Sequence, residues 1–289
     1  MAPLFSRALF AGVGLIGGSL ALAAREAGLI GTAVGYGRNR ETLEQALALG
    51  IVDEIATDPA AACAGADLLF VATPVESVAG LVERLAPHLP DGCVVTDGGS
   101  VKGAIVERLA RLDPRLPFVG GHPVAGTEKS GPQAAFATLY KDRYTILTPV
   151  ADTDPGALAK VARLWEGVGA KVVTMTPADH DRALAMISHL PHLTAYALVD
   201  TLAEGDPDDR VGRFIAGGFK STTRIAASDP AMWRDIFSMN RAATLDAVRM
   251  FAAHLARFAD AIEEERYDDL LAMLRRARER KLALDERAP

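Results

Sequence analysis

The stretch Ala8-Leu9-Phe10-Ala11-Gly12-Val13-Gly14-Leu15-Ile16-Gly17-Gly18-Ser19 decides the fold. Residues 8–11 are apolar and read as a buried strand, three glycines follow at G-x-G-x-x-G spacing, and residues 15–27 have the apolar pattern of a helix. Gly12 permits the tight turn, Gly14 lets backbone approach a pyrophosphate, and Gly17 lets the helix pack closely on the sheet. The N–H groups where Leu15 and Ile16 open the helix lack intrahelical partners and suit an anion. The spacing alone would also fit a purely structural turn. A second strand at residues 32–36 completes the unit, so Gly12, Gly14, Leu15, Ile16 and Gly17 read as dinucleotide contacts.

The same rhythm continues outward. A helix is expected at residues 40–49, and further strands at 67–72, 93–97, 117–121, 143–147 and, after a helix at 155–166, 169–174. Alternation of this kind predicts an α/β fold, a Rossmann-type domain whose mostly parallel sheet is covered on both faces. From Pro177 onward the pattern is helical, with one helix expected over residues 179–204 and a long terminal run after Pro230. The boundary is placed at residues 175–177, giving a dinucleotide-binding domain over 1–175 and a helical domain over 176–289. Helices bury an apolar stripe only against another element, so the second domain invites subunit pairing.

Composition excludes several classes. The 289 residues carry a net charge of -6, which gives no general attraction to nucleic acid. The basic cluster at Arg275, Arg276, Arg278, Arg280 and Lys281 follows acidic Glu263, Glu264 and Glu265, a polarity that suits solvated helix faces. Cys63 and Cys93 are the only cysteines and lack metal-ligand spacing, so a reducing, cytoplasmic setting is expected. No unbroken apolar stretch reaches bilayer length, and no membrane association is expected.

Candidate chemistry sits where strands end, because ligands of such sheets gather at their carboxyl edge. The second strand runs into Val34-Gly35-Tyr36-Gly37-Arg38-Asn39-Arg40, with Gly37 where an acid would grip the ribose hydroxyls of NAD. An acid would repel a ribose 2'-phosphate, whereas Arg38 or Arg40 can pair with one, so NADP or dual use is favoured over strict NAD. The alternative is two solvated arginines at a helix start. Thr73 and Pro74 end a strand near the nicotinamide half, as does Asp97-Gly98-Gly99-Ser100-Val101-Lys102. Ser100 is expected either to hydrogen-bond substrate or imidazole, or to cap a helix.

His122 follows an expected strand end and precedes Pro123, and its neutral ring can accept a proton from a substrate hydroxyl. In Ser188-His189-Leu190-Pro191-His192 the rings lie three apart and share a helix face. A helix-core histidine pair competes with a site role. Metal binding lacks a third ligand despite Asp179, His180 and Asp181 nearby. Arg224, after Gly217-Gly218, can grip a carboxylate through two parallel hydrogen bonds, and Trp233 lies just past a helix start at Asp229-Pro230, where core packing competes with a pocket wall.

Together these residues resemble the prephenate/arogenate (cyclohexadienyl) dehydrogenase family of tyrosine biosynthesis. The likeness rests on Gly12 to Ser19, Asp97 to Lys102, Gly121-His122-Pro123-Val124-Ala125-Gly126-Thr127-Glu128-Lys129-Ser130-Gly131, Ser188 to His192, and Gly218-Phe219-Lys220 leading to Thr223-Arg224-Ile225-Ala226. It implies homodimers with a helical dimerisation domain and oxidative decarboxylation with hydride transfer to NAD(P). It also implies His122 as the catalytic histidine and Ser100 as its assistant. His189, His192, Arg224, Thr127 and Glu128 would contact substrate, with Arg224 on a carboxylate and Trp233 turned toward a neighbouring subunit's site. Two departures stand out: Gly37 replaces the usual acid, and Ser221 stands where some members have one. A β-hydroxyacid dehydrogenase or imine reductase would share the glycine loop and helical domain but lack the His122 motif. A nucleotide sensor would need none of the ordered Ser100, His122, His192 and Arg224.

Overall fold

A computed structural model describes residues 2–111, 116–127, 129–206, 208 and 210–286. Its strands are β1 (Phe5–Ala11), β2 (Ile30–Tyr36), β3 (Glu54–Ala56), β4 (Leu68–Val71), β5 (Val94–Asp97), β6 (Phe118–Pro123), β7 (Tyr144–Thr148) and β8 (Lys171–Thr174). They form one sheet in the order β3-β2-β1-β4-β5-β6-β7-β8. Every neighbouring pair is parallel except β6 with β7. Chain order runs outward from β1 in both directions, which opens a crevice at the carboxyl ends of β1 and β4.

The central strands are apolar on both faces because helices cover both. The covering helices of this part are α1 (Leu15–Glu26), α2 (Arg40–Ala48), α3 (Pro59–Cys63), α4 (Ser77–Leu85), α5 (Gly103–Leu109) and α6 (Pro155–Gly167). On one face Phe10, Phe70, Trp165 and Tyr140 pack edge to face, with ring centroids 5.0–6.1 Å apart. On the other, Val78, Val82 and Leu85 of α4 meet Val95, Val101 and Ile105. Local chemistry starts several helices: Asp58, Asp154, Thr176 and Asp229 each accept a backbone N–H near a helix start, and each precedes a proline that has no N–H to satisfy.

The glycine loop is sterically determined. Gly12 has φ +100°, and a Cβ on Gly17 would lie 1.9 Å from the Gly12 carbonyl oxygen, so α1 starts against the loop only without a side chain there. β3, three residues at the sheet edge, was too short to register as a periodic segment. β6 continues through His122 to Pro123, beyond the expected end at residue 121, because its last residues leave β5 and pair with β7 instead.

After β8 the chain becomes helical: α7 (Pro177–Leu184), α8 (Leu190–Gly205), α9 (Gly217–Thr223), α10 (Pro230–Met239), α11 (Arg241–Glu263) and α12 (Tyr267–Asp285). The single helix expected over 179–204 is instead two, joined by a π turn at Ala185–His189 in which the Leu190 N–H bonds to the Ala185 carbonyl. Pro191 has no N–H to continue the ordinary ladder, which accounts for the slip. The terminal run likewise breaks at residues 264–266, where Glu265 takes φ +52°. Two compact units result, Met1–Arg241 and Ala242–Pro289. The helices α7 to α10 belong to the first, where Trp233 and Ile236 are buried in one cluster with Val95 and Ile105.

Candidate active site

At the carboxyl edge a cleft of about 440 Å³ is lined by the glycine loop, by Gly37, Arg38, Asn39 and Thr42 after β2, by Thr73 and Pro74 after β4, and by Ser77 and Arg84 of α4. Gly14, at the α1 N-terminus, has no atom within 3.9 Å of where a Cβ would stand, and it supplies no side-chain cap. The first N–H groups of α1, at Leu15 and Ile16, therefore have no helical acceptor. The residues fit a dinucleotide: a tight glycine cradle, free donors and an adjoining cleft. Among the described residues no carboxylate lines that cleft, while two guanidinium groups, Arg38 and Arg84, do. Arg40, expected beside Arg38, instead points along α2 and pairs with Glu44 at 2.8 Å. Its position in the first helical turn puts Glu44 one turn away, within reach. Arg84 carried no sequence signal, because it comes from the end of α4 rather than from a strand end.

Beneath this edge lies a buried ion pair. Asp97 ends β5 and accepts the N–H groups of Gly99 (2.9 Å) and Gly121 (3.1 Å) as well as the Lys102 ammonium. Lys102, fully buried, also donates to the Gly121 carbonyl at 2.8 Å. Burial pulls the ammonium below the usual lysine range, against the opposing pull of Asp97 and Asp181. The ends of β5 and β6 are thereby tied together, and they carry Ser100 and His122. Ser100 is half-buried, and its hydroxyl bonds no described residue. It does not cap α5, which starts three residues later at Gly103. The donors at that start, the N–H groups of Lys102 and Gly103, are taken by the Asp181 carboxylate at 2.8 Å each.

His122 is 9% exposed, and its Nδ1 lies 2.8 Å from Nε2 of His180 on α7. His180 Nδ1 in turn lies 2.8 Å from Asp181. Burial, then the neighbouring His180, Lys102 and His189, hold the His122 imidazole well below its ordinary value, so the ring is neutral at neutral pH. Burial would raise the Asp181 carboxyl, but His180 and the two backbone donors outweigh it and leave it below the ordinary range. Of the two partners expected for Ser100, the imidazole's Nδ1 is taken by His180, which leaves Nε2 of His122 or a substrate oxygen for its hydroxyl. The signal for His180 and Asp181 was present as a His-Asp dipeptide just after a Thr-Pro helix start, but its distant partners were not legible.

His189 and His192 do share a face. His189 is buried and accepts from Asn240 at 3.1 Å, which leaves its Nε2 as a buried donor without a partner among described residues. Burial pushes its pKa down to about 4. His192 is half-buried and donates from Nδ1 to the Ser188 carbonyl at 2.9 Å, leaving Nε2 as an acceptor. Burial and the nearby Arg224 lower it as well. Trp233, 5% exposed, stacks on His192 with ring centroids 3.7 Å apart and meets His189 edge to face. It packs inside this chain's own core, behind the histidines. Arg224 is exposed in the turn after α9 and has no ion-pair partner among described residues. Thr127 is exposed in the loop after β6, with its hydroxyl accepting the Lys129 N–H at 3.2 Å. Glu128 lies outside the described residues.

These buried histidines make stability depend on pH. Unfolded histidine titrates near 6.5, whereas folded His189 titrates near 4 and folded His122 well below its ordinary value. Below pH 6.5 the unfolded chain therefore binds more protons, and stability falls as pH drops toward 4. The thermal midpoint should decline between about pH 7 and about pH 5, and less steeply in His189→Gln; a flat profile would contradict the burial of neutral rings.

Residues 20–174 match the family model described as prephenate dehydrogenase, nucleotide-binding domain, and residues 176–276 match prephenate dehydrogenase, dimerization domain. The cyclohexadienyl dehydrogenase of Zymomonas mobilis is 35% identical over 282 residues, covering 97% of this chain and 96% of that protein. The solved prephenate dehydrogenase of Aquifex aeolicus, in complex with hydroxyphenyl propionate and NAD+, superposes with a TM-score of 0.92 at 39% identity, covering 96% of this chain and 98% of that one. The Synechocystis arogenate dehydrogenase structure gives 0.83 at 32% identity, with 96% and 99% covered. With both halves matched by the family's two models and relatives at 35–39% identity covered almost end to end, the chain belongs to the prephenate/arogenate dehydrogenase family.

Proposed function

We propose that the chain oxidatively decarboxylates prephenate or arogenate, giving 4-hydroxyphenylpyruvate or tyrosine, with His122 as the group that holds the substrate hydroxyl. The observation that carries this reading is a neutral, buried imidazole at the carboxyl edge of a dinucleotide-binding sheet. NAD(P), bound along Gly12, Gly14, Leu15, Ile16, Gly17, Arg38, Thr73 and Pro74, supplies the two-electron acceptor for a hydride.

The chain's residues then have distinct tasks. A lone pair on His122 accepts the hydroxyl proton or its hydrogen bond as the ring carbon bearing that hydroxyl loses its hydride. The bond to the ring carboxylate breaks, carbon dioxide leaves with its bonding pair left in the ring, and the proton returns to the phenol oxygen. No net proton is released. Ser100 has a hydroxyl that no described residue engages, available for the same substrate oxygen. Arg224 grips a carboxylate. His192 offers its Nε2 to substrate and is held by stacking on Trp233. His189 presents a donor that has no partner among the described residues. Thr127 and Glu128 follow His122 within six residues of sequence, and an acid among the substrate contacts would favour the arogenate amine. Both substrates are within the reading, since the named relatives include prephenate, arogenate and cyclohexadienyl dehydrogenases.

The cleft favours NADP or dual use: among the described residues it contains no acid to repel a 2'-phosphate, and it contains Arg38 and Arg84. Residues 1–175 would serve the cofactor, and 176–289 the substrate and a homodimer. Support for pairing comes from α11 and α12, which expose Met250, Leu255, Ile262, Leu271 and Leu274. Apolar side chains at such spacing need a covering partner. Among described residues no helix is long and apolar enough to cross a membrane, and both cysteines are free and buried, with burial raising Cys63 to about 11 and Cys93 to about 12. Inert thiols of this kind fit the cytoplasm.

His122→Ala should keep cofactor affinity while kcat falls by about 10²-fold or more, as expected for loss of a positioned acid/base. Near-normal turnover would overturn the assignment. For cofactor choice, NADP should be used at least as well as NAD, and Arg38→Ala should lower kcat/KM for NADP about tenfold while sparing NAD, the scale of one charge-assisted hydrogen bond. Strict NAD use that is indifferent to Arg38 would contradict the preference.

A further inference from the structure

His180 and Asp181 lie outside every role assigned above, yet they stand in a line behind His122. Asp181 Oδ1 accepts the Lys102 N–H and Oδ2 accepts the Gly103 N–H, at 2.8 Å each, so the carboxylate is anchored to the start of α5, across 78 to 79 residues of chain. An ionised carboxylate only accepts hydrogen bonds. The ring nitrogen facing it, His180 Nδ1 at 2.8 Å, must therefore carry a hydrogen. In a neutral His180 that leaves Nε2 as a lone pair, and this lone pair faces His122 Nδ1 at 2.8 Å. His122 Nδ1 must then be the protonated nitrogen, which leaves His122 Nε2 unprotonated.

We infer that Asp181 and His180 are positioning residues that set, one through the other, the tautomer of His122, so that its Nε2 is presented to substrate as a proton acceptor. The tautomer of a histidine follows from the bond its second nitrogen makes, and here that bond is dictated by a carboxylate one ring away. The arrangement rests on the proposed role of His122 as the group that engages the substrate hydroxyl. It also provides for the moment when His122 holds the proton: the Nδ1–H then donates more strongly to His180, which is itself backed by the Asp181 carboxylate. Positive charge gathering on one buried ring is met by an acceptor already in place, without water having to reorganise. No proton leaves the site by this route, because the one taken from the hydroxyl returns to the phenol oxygen.

Nitrogen-15 NMR of the histidine-labelled protein, with His122→Ala used to assign its signals, reads the tautomer directly. The expected spectrum has His122 protonated at Nδ1 and unprotonated at Nε2. A His122 ring with its hydrogen on Nε2, as an imidazolium at His180 would impose, overturns the inference. His180→Phe keeps ring volume but removes the acceptor: kcat should fall by about 10²-fold, with cofactor affinity and substrate KM near wild type. The His122 signals should shift away from the Nδ1–H form. His180→Gln, whose amide oxygen can accept the same Nδ1–H, should recover part of the lost kcat. Wild-type kcat in His180→Phe overturns the inference even if His122→Ala is inactive, in which case the catalytic reading of His122 stands without the relay. Normal turnover in His122→Ala removes both. The wild-type spectrum decides the tautomer even if a variant fails to fold.

Discussion

The buried pair between Asp97 and Lys102 is the constraint on which the site depends. Two charges withdrawn from water are tolerated only when their mutual attraction is supplemented by further hydrogen bonds. Here Asp97 also holds the Gly99 and Gly121 N–H groups, and Lys102 holds the Gly121 carbonyl. Removing either partner of such a pair strands a charge in the interior, at a cost of about 3–5 kcal/mol. The pair closes the gap between the ends of β5 and β6, the two strands that carry Ser100 and His122. Because β6 leaves β5 after Val119 and turns to β7, backbone pairing does not hold that gap together. Side-chain electrostatics do.

From this tie the rest of the site can be followed outward. Lys102 leads directly into α5, the first N–H groups of which are bound by Asp181 of α7. That contact docks α7 against the sheet and places His180 behind His122. The π turn after α7 then turns His189 inward, where Asn240 bonds both its Nδ1 and the Asp181 carbonyl. Three imidazoles thus lie near one edge: His122 and His189 each have one nitrogen committed to a defined partner, and His180 has both. Dryness does the rest, because burial keeps His122 and His189 neutral where water would let them charge more readily.

Much of the fold was legible in the sequence because its signals are local. Gly12 is required by its own φ of +100° and Gly17 by the Gly12 carbonyl five residues away, and the helices that begin at Pro155 and Pro230 follow an aspartate that caps them. The apolar runs of β1, β4 and β5 need only burial to be strands. The misreadings have physical reasons too. A single missing N–H at Pro191 turned an expected continuous helix into two with a π turn, and Arg40 was captured by Glu44 one turn away. For the site, His122 and Ser100 were visible as strand-end residues, whereas the function of Asp181 depends on donors 78 to 79 residues away and that of Arg84 on how α4 lies across the cleft. Long-range partners of that kind leave no periodic trace.

The central claim is that a glycine-cradled cofactor and a neutral His122 together carry out oxidation and decarboxylation as one coupled reaction. The most direct measurement is the stoichiometry of a single progress curve, with reduced cofactor followed by absorbance and carbon dioxide captured from the same mixture, using prephenate or arogenate. The account predicts one carbon dioxide for each reduced cofactor, with an aromatic product. Cofactor that binds but is not reduced by either substrate, or reduction without loss of carbon dioxide, would contradict it.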